Sequence, residues 1–169
     1  MANIIKPIET IINAKGYKIF LAGSIDQGTA IDWQVYIERT INDMIIRMAE
    51  WRISDEKKNY DVTIFNPRCD IWDAKLEQNK DNKRFREQVE WELNALDKAD
   101  LIMFYFDPKS KSPVSLLELG LYAQSGKVIC CCPKGYWRKG NVDIVCERYN
   151  IKCYADLDEM ITYCSKFLI

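Results

Sequence analysis

Four short apolar runs, each followed by a turn and a helical pattern, constrain the fold of this chain more than any other feature. The runs cover residues 18–22, 62–65, 101–106 and 128–132 and are rich in β-branched, aromatic or cysteine residues. Because they are apolar on both faces, they are typical of strands buried in a parallel sheet. We predict an α/β fold of the flavodoxin or Rossmann type, with one parallel sheet and helices on both of its faces.

The last part of the chain continues this pattern. Residues 140–169 show two amphipathic helices around a short strand at residues 152–154. No linker, repeat or low-complexity segment divides the chain, and its length suits one hydrophobic core. Residues 1–169 are therefore expected to form a single domain.

Composition narrows the possible chemistry. The 169 residues include 24 basic and 25 acidic side chains and no histidine. A protein that binds the nucleic-acid backbone usually has a basic excess, so we expect no nucleic-acid partner. The absence of histidine excludes Ser-His-Asp and Cys-His catalytic arrangements and histidine-containing zinc sites. Catalysis must therefore rest on carboxylates, thiols, lysine or tyrosine.

The cysteines and the N-terminal segment indicate the compartment. Seven cysteines without a CxxC pair are interpreted as small buried hydrophobic residues in a reducing environment, with no metal site. Three are consecutive, at residues 130–132, where adjacent side chains of a strand point to opposite faces and cannot converge on a metal. The N-terminal segment is too polar for a signal peptide, and no stretch approaches the roughly 18 apolar residues of a membrane span. We expect a cytoplasmic protein without a membrane partner.

Polar residues directly after the strands are the first candidates to contact a ligand, because such sheets bind ligands at the carboxyl ends of their strands. These residues are Gly23, Ser24 and Asp26 after the first strand, Asn66, Arg68 and Asp70 after the second, and residues 107–112 after the third. The first loop, which contains Asp26 and Asp32, could bring backbone N–H groups and side chains to a phosphate or sugar. An ordinary strand-to-helix turn uses the same residue types, with Asp32 as a helix cap.

Aromatic residues near these loops suit a flat heterocyclic ligand. The segment 66–73 combines an arginine, two carboxylates and Trp72, which favours hydrogen bonding to and stacking on a base. Trp33 and Tyr36 would supply further ring faces. A turn whose tryptophan packs on the core explains the segment equally well.

Glu118 is the first catalytic candidate. Ser112 and Pro113 predict the start of a helix, with the serine as N-cap, and this places Glu118 in the second turn between two leucines. Gly120 would let a backbone or ligand approach closely. The alternatives are a capping box from Ser115 to Glu118, if the helix begins later, or a solvated glutamate.

Glu92 is the second candidate. Helical spacing places it on one face with Val89, Leu93 and Leu96, so it is predicted to point inward. A carboxylate on such a face is costly unless it is paired or lines a site. The alternative is a salt bridge to Arg68 or Arg86.

Taken in order, these segments resemble the nucleoside 2-deoxyribosyltransferase-like family. The resemblance spans about residues 17–135 and rests on Ile19-Phe20-Leu21-Ala22-Gly23-Ser24-Ile25 with Asp32-Trp33, on Asn66-Pro67-Arg68, on Trp91-Glu92-Leu93, and on the segment from Ser112 to Gly120. It implies that Glu118 is a nucleophile and that Glu92, where the family commonly has aspartate, is its acidic partner. Ser112 stands where typical transferases have an acidic residue that contacts the sugar, and the tyrosine often found in the first loop has no counterpart in Ala22-Gly23-Ser24.

The implied reaction is cleavage of the N-glycosidic bond of a nucleoside or nucleotide through a glycosyl-glutamate, with transfer of the sugar to another base or to water. Two carboxylates suffice for this chemistry, so no cofactor is expected. The alternatives are a hydrolase of a deoxynucleoside monophosphate or NAD-like nucleotide, and a catalytically silent nucleotide-binding sensor. The resemblance also implies a homo-oligomer, to which the apolar tail at residues 167–169 would contribute.

Overall fold

Strands and helices alternate along the chain, as the apolar runs predict. The computed structural model describes residues 1–25, 31–51, 61–69 and 77–168. The elements are β1 (Asn3–Ile5), β2 (Tyr17–Gly23), α1 (Trp33–Trp51), β3 (Val62–Phe65), α2 (Lys83–Lys98), β4 (Leu101–Tyr105), α3 (Pro113–Tyr122), β5 (Val128–Cys131), α4 (Lys139–Arg148), β6 (Lys152–Tyr154) and α5 (Leu157–Leu168). The strand β1 is not predicted from the sequence, whereas β6, of the same length, is.

The six strands form one sheet in the order β1-β3-β2-β4-β5-β6, and every pair is parallel. The predicted fold class is therefore confirmed. The order reverses beside β2, since the chain next adds β3 on one side of it and β4 on the other. This reversal is the place where a sheet of this type opens a crevice for ligands.

Alternating strand residues separate the core into two layers, one on each face of the sheet. In β2, Phe20 and Ala22 pack with residues of α2, α3 and α4. Ile19 and Leu21 pack on the other face with residues of α1 and α5. Strands buried on both faces explain why the runs are continuously apolar rather than alternating. Within the described residues, no helix has both the length and the apolar character needed to cross a membrane.

The consecutive cysteines diverge as predicted, with Cys130 and Cys132 in the first layer and Cys131 in the second. Burial of all seven cysteines is wrong, however. Cys69 is partly exposed and Cys153 is exposed. Cys153 lies on β6, which forms an edge of the sheet and is covered less than the central strands.

Gly23 ends β2 at the point where the sheet order reverses. Its φ of +140° is rarely adopted by other residues, and a Cβ there would lie 2.2 Å from the Tyr105 carbonyl oxygen. The next residue continues the contact, because the Ser24 N–H donates to that same oxygen at 2.9 Å. The glycine therefore lets the ends of β2 and β4 close together, which shapes the crevice.

Candidate active site

A cavity of about 510 Å³ opens beyond the carboxyl ends of β2 and β3. Its lining comes from the ends of these strands, from one side of α2 and from the first two turns of α3. The lining residues are Gly23, Ile25, Pro67, Cys69, Gln78, Phe85, Gln88, Val89, Glu92, Ser112, Pro113, Val114, Ser115 and Glu118. Four of the residues singled out from the sequence thus meet in one cavity: Gly23, Glu92, Ser112 and Glu118.

Glu118 is a buried carboxyl at the wall of this cavity, with 8% of its surface exposed. The helix α3 begins at Pro113, so Glu118 lies in the second turn and neither a capping box with Ser115 nor a solvated position applies. Burial, and to a lesser extent the negative charge of Glu92, together raise the pKa of Glu118 to about 8. The carboxyl of Glu118 thus stays protonated at pH values far above the range in which an ordinary glutamate ionises.

Glu92 lines the same cavity from α2 and is partly exposed there. Burial raises its pKa to about 7, although a hydrogen bond from Gln88 Nε2, at 3.1 Å, opposes the rise. The predicted inward position is correct, and of the residues predicted to share its face, Val89 lines the same cavity and Leu96 is buried, so the prediction is wrong for Leu93. The buried residues of α2 are Trp91, Ala95 and Leu96, and Leu93 is exposed.

The alternative of a salt bridge to Glu92 is wrong for both arginines considered. Arg68 Nε lies 3.4 Å from Asp32 Oδ2, and Arg86 Nη1 lies 3.4 Å from Glu90 Oε1. The carboxyl of Glu92 therefore faces the cavity without either cation. Such a carboxyl is more easily protonated than one paired with arginine.

The two carboxyls form an electrostatic pair, because the charge of one raises the pKa of the other. Both release their protons near neutral pH, and at that pH the pair holds one proton for part of the time. A pair in this state presents a carboxylate and a carboxylic acid to the same cavity. That combination can attack an electrophilic carbon and protonate a leaving group.

Three buried serine hydroxyls form a cluster, and one of them, Ser112, lines the cavity. Ser112 Oγ is 2.6 Å from Ser24 Oγ and 2.7 Å from Ser110 Oγ, and the Asp107 N–H donates to Ser24 Oγ at 2.8 Å. Ser112 stands at the predicted N-cap position, but its hydroxyl does not cap the helix. Its φ of 47° turns the hydroxyl into the serine cluster instead, while its carbonyl oxygen accepts from Leu116 N–H at 3.1 Å.

Asp32, Asn66 and Arg68 form a polar network outside the described lining. Asp32 is exposed, caps α1 by accepting from Val35 N–H at 3.2 Å, and pairs with Arg68. Asn66 is buried, accepts from Arg68 N–H at 2.9 Å, and donates to Glu38 at 2.7 Å. The structure thus shows these side chains bonded to one another and to α1.

The aromatic candidates lie in different surroundings. Trp33 is fully buried, donates from Nε1 to the Ser24 carbonyl at 2.9 Å, and packs on Tyr105. The prediction that it offers a ring face to a base is therefore wrong, because the ring fills the core under the loop. Tyr36 is exposed and donates to Asp158. Trp72, together with Asp26 and Asp70, lies outside the described residues.

Several lining residues are not predicted from the sequence to belong to the site. Phe85, Gln88 and Val89 precede Glu92 by two turns or one turn of α2, and Ser115 precedes Glu118 by one turn of α3. Helical spacing from each candidate carboxylate is the signal that finds them. The close approach of a backbone or ligand expected at Gly120 is absent from the described residues, since Gly120 is exposed and a Cβ there would meet nothing within 4 Å.

Comparison with known proteins identifies one family. The sequence pattern of the family described as nucleoside 2-deoxyribosyltransferase like matches residues 16–136. This segment runs from just before β2 to the loop after β5, so it contains every residue that lines the cavity. No curated protein matches the chain.

Proposed function

Because the chain belongs to the nucleoside 2-deoxyribosyltransferase-like family, we propose that it cleaves the N-glycosidic bond of a nucleoside or nucleotide through a covalent glycosyl-Glu118 intermediate. The observation that carries this proposal is the presence of two carboxyls, Glu118 and Glu92, on one cavity at the reversal of the sheet order. The sugar then passes to another base or to water. Nothing in this chemistry requires a cofactor.

In the first step, a carboxylate oxygen of Glu118 bonds to the anomeric carbon while the bond from that carbon to the base nitrogen breaks. The electron pair of that bond leaves with the base, and Glu92, in its carboxylic acid form, protonates the base. In the second step, water or the nitrogen of another base attacks the same carbon, and the Glu118 ester bond breaks to restore its carboxylate. Glu92 takes up the proton of the attacking group.

The raised pKa values keep a proton in the pair near neutral pH, which the first step requires. A glutamate with an ordinary pKa of 4.5 would hold almost no proton at pH 7 and would be a poor acid for the base. Burial raises the pKa of Glu92 to about 7, close to the pH at which a general acid works best. The pair must hold one proton for the first step. In the free protein the higher pKa of Glu118, about 8 against about 7, places that proton mainly on Glu118, so the step proceeds from the minor form in which Glu118 is the carboxylate and Glu92 the acid.

Ser112 favours water and a phosphorylated substrate over strict transfer between free nucleosides. At this position the resemblance implies an acidic sugar contact, and a hydroxyl removes that negative charge. Ser112, Val114 and Ser115 line the cavity around the N-terminal end of α3, where hydroxyl and backbone N–H groups favour anions. We expect measurable hydrolysis beside any transfer and a preference for a 5′-phosphate.

The nucleophile is tested by Glu118→Ala, assayed with deoxynucleosides, their monophosphates and NAD, with and without a labelled acceptor base. We expect turnover to fall by at least about 10³-fold, the scale of losing a covalent-catalysis residue. Glu90→Ala is the matched control, because Glu90 is exposed on α2 and its carboxylate accepts a hydrogen bond from Arg86. A folded Glu118→Ala with near-normal activity would overturn the mechanism.

The fate of the sugar is a separate measurement. Release of free sugar, together with faster cleavage of monophosphates than of nucleosides, would support the role proposed for Ser112. Quantitative entry of the label into nucleoside, with no advantage from phosphate, would show that the serine changes nothing and that the chain is a simple transferase. The Ser112→Asp variant should shift the products toward transfer.

We also propose that the chain forms a homo-oligomer. Val114, Leu117 and Leu121 are exposed on α3 at 58%, 64% and 60%, and their spacing places them on one side of the helix. An apolar stripe of this kind is commonly covered by another protein surface. The side chains of the tail, residues 167–169, lie outside the described residues. The α3 stripe therefore carries this proposal.

A further inference from the structure

Three cysteines far apart in sequence converge at one edge of the sheet, away from the cavity. They are Cys130 on β5, Cys146 on α4 and Cys153 on β6, and their Sγ atoms all lie within 4.8 Å of one another. Cys130 and Cys153 are direct neighbours across the parallel strands, so both side chains point to the face covered by α4. We propose that this thiol triad is a binding site for Zn²⁺, with the three thiolates as ligands.

The spacing of the sulfur atoms suits this ion. A tetrahedral zinc site has Zn–S bonds of about 2.3 Å, which puts its sulfur atoms about 3.8 Å apart. The observed separations, at most 4.8 Å, exceed that spacing by no more than about 1 Å. Neighbouring strands and a packed helix supply the three ligands, so the backbone already holds the site together.

An oxygen donor lies next to the triad. Asp143 is one turn before Cys146 on α4, and its Oδ1 is 4.0 Å from Cys153 Sγ. The Lys139 ammonium lies 2.8 Å from the same oxygen and 3.0 Å from the Cys132 carbonyl. Asp143 can thus fill the fourth position, and Lys139 offsets part of the negative charge that three thiolates and a carboxylate would bring together.

Donor chemistry selects the class of ion. Thiolates are soft ligands that bind zinc and similar ions, whereas magnesium and calcium prefer oxygen ligands. Cys130 and Cys146 are buried and Cys153 is exposed, so an ion can enter from the solvent side and leave its water behind. Bound zinc would tie the edge strand β6 to β5 and α4.

The site is independent of the proposed reaction, because none of the three cysteines lines the cavity. Its test uses the full chain, reduced, stripped of metal by a chelator and titrated with Co²⁺ as a spectroscopic probe before competition with Zn²⁺. We expect one Co²⁺ per chain, thiolate-to-cobalt absorption in the near ultraviolet, the visible bands of a tetrahedral ion, and displacement by zinc. Zinc should also raise the melting temperature.

One variant tests a proposed ligand, and a second serves as its control. Cys153→Ser changes an exposed residue and should weaken cobalt affinity at least tenfold, since even the loss of groups behind the ligands costs about 10–100-fold. Cys164→Ala is the matched control, because this buried cysteine lies on α5 on the opposite face of the sheet and should leave the spectrum unchanged.

Three results would overturn the proposal. The first is the absence of thiolate-to-cobalt absorption in the folded wild-type protein. The second is an unchanged spectrum in Cys153→Ser, which would place the ion elsewhere. The third is a protein that binds no cobalt when reduced but loses two hydrogen atoms by mass in air, which would identify the triad as a disulfide-forming cluster. Cleavage activity can be present or absent in each case.

Discussion

Replacing Glu118 with glutamine should stabilise the protein, and the gain should grow with pH. The pKa of Glu118 is about 8 in the folded chain, against 4.5 for an ordinary glutamate. Between these values the unfolded chain is ionised at this position while the folded chain still binds the proton. Stability must therefore fall as pH rises across this range. Below pH 4.5 both states are protonated, and the carboxyl carries no such cost.

The size of the pKa shift determines how much stability the substitution should gain. Each pKa unit corresponds to about 1.4 kcal/mol, so the buried carboxyl costs on the order of 3 kcal/mol at pH 7 and somewhat more above pH 8. Glutamine has nearly the same shape and no charge, so Glu118→Gln removes this cost. For a chain of this length, a gain of that size corresponds to a rise in melting temperature of about 6–12 °C.

Urea denaturation of wild type and Glu118→Gln at pH 5, 6, 7 and 8, in the presence of a reductant, measures the difference directly. The free energy of unfolding should be similar for the two proteins near pH 4.5 and should diverge steadily toward pH 8. Glu147→Gln is the control, because Glu147 is exposed on α4 and its carboxylate stays in water. A difference that is flat from pH 5 to pH 8 would refute the burial argument, whatever the activity of the variant.

Three further predictions concern catalysis, folding and assembly. The kcat/KM for base release should peak between pH 7 and pH 8 and fall about tenfold per pH unit outside that range. Glu92→Gln should remove the alkaline limb, because the general acid is lost, and a flat wild-type profile would contradict the pairing. Gly23→Ala should lower the free energy of unfolding by at least about 2 kcal/mol in urea denaturation, because its Cβ would lie 2.2 Å from a backbone oxygen. Gly126→Ala is the control: Gly126 has a φ of +74° but open space around it, so the substitution should cost only about 1 kcal/mol. Light scattering at micromolar concentration should give a mass above the 19.8 kDa of one chain, and Leu117→Glu should reduce it; a wild-type mass of 19.8 kDa would exclude the oligomer.

Local features of the sequence determined the class of fold and the type of chemistry. Continuous apolar runs followed by helical patterns require a parallel sheet buried on both faces, because each strand has a period of two residues and both sets of side chains are apolar. The lack of histidine directs attention to carboxylates. Helical spacing from Pro113 then places Glu118 in the second turn of α3, where the structure has it.

Only the tertiary structure decided which side chains face the cavity and which fill the core. Leu93 is exposed while Trp91 is buried, because the packing of α2 on the sheet selects one of two neighbouring apolar faces. Trp33 is buried with Ile37 in the layer of α1 and α5, and the hydrogen bond from its Nε1 to the Ser24 carbonyl exists only because α1 packs on the end of β2. The charge state of Glu118 depends in the same way on burial and on Glu92, which lies on another helix.

The thiol triad shows most clearly which features follow from local sequence and which depend on tertiary packing. The sequence correctly indicates that consecutive cysteines in a strand diverge, since that follows from the geometry of one strand. The approach of Cys130 to Cys146 and Cys153 depends on β6 lying beside β5 and on α4 covering that edge. Such contacts depend on the order of the strands in the sheet and on how the helices pack against it. Both are determined by burial of the whole core rather than by any short stretch of the chain.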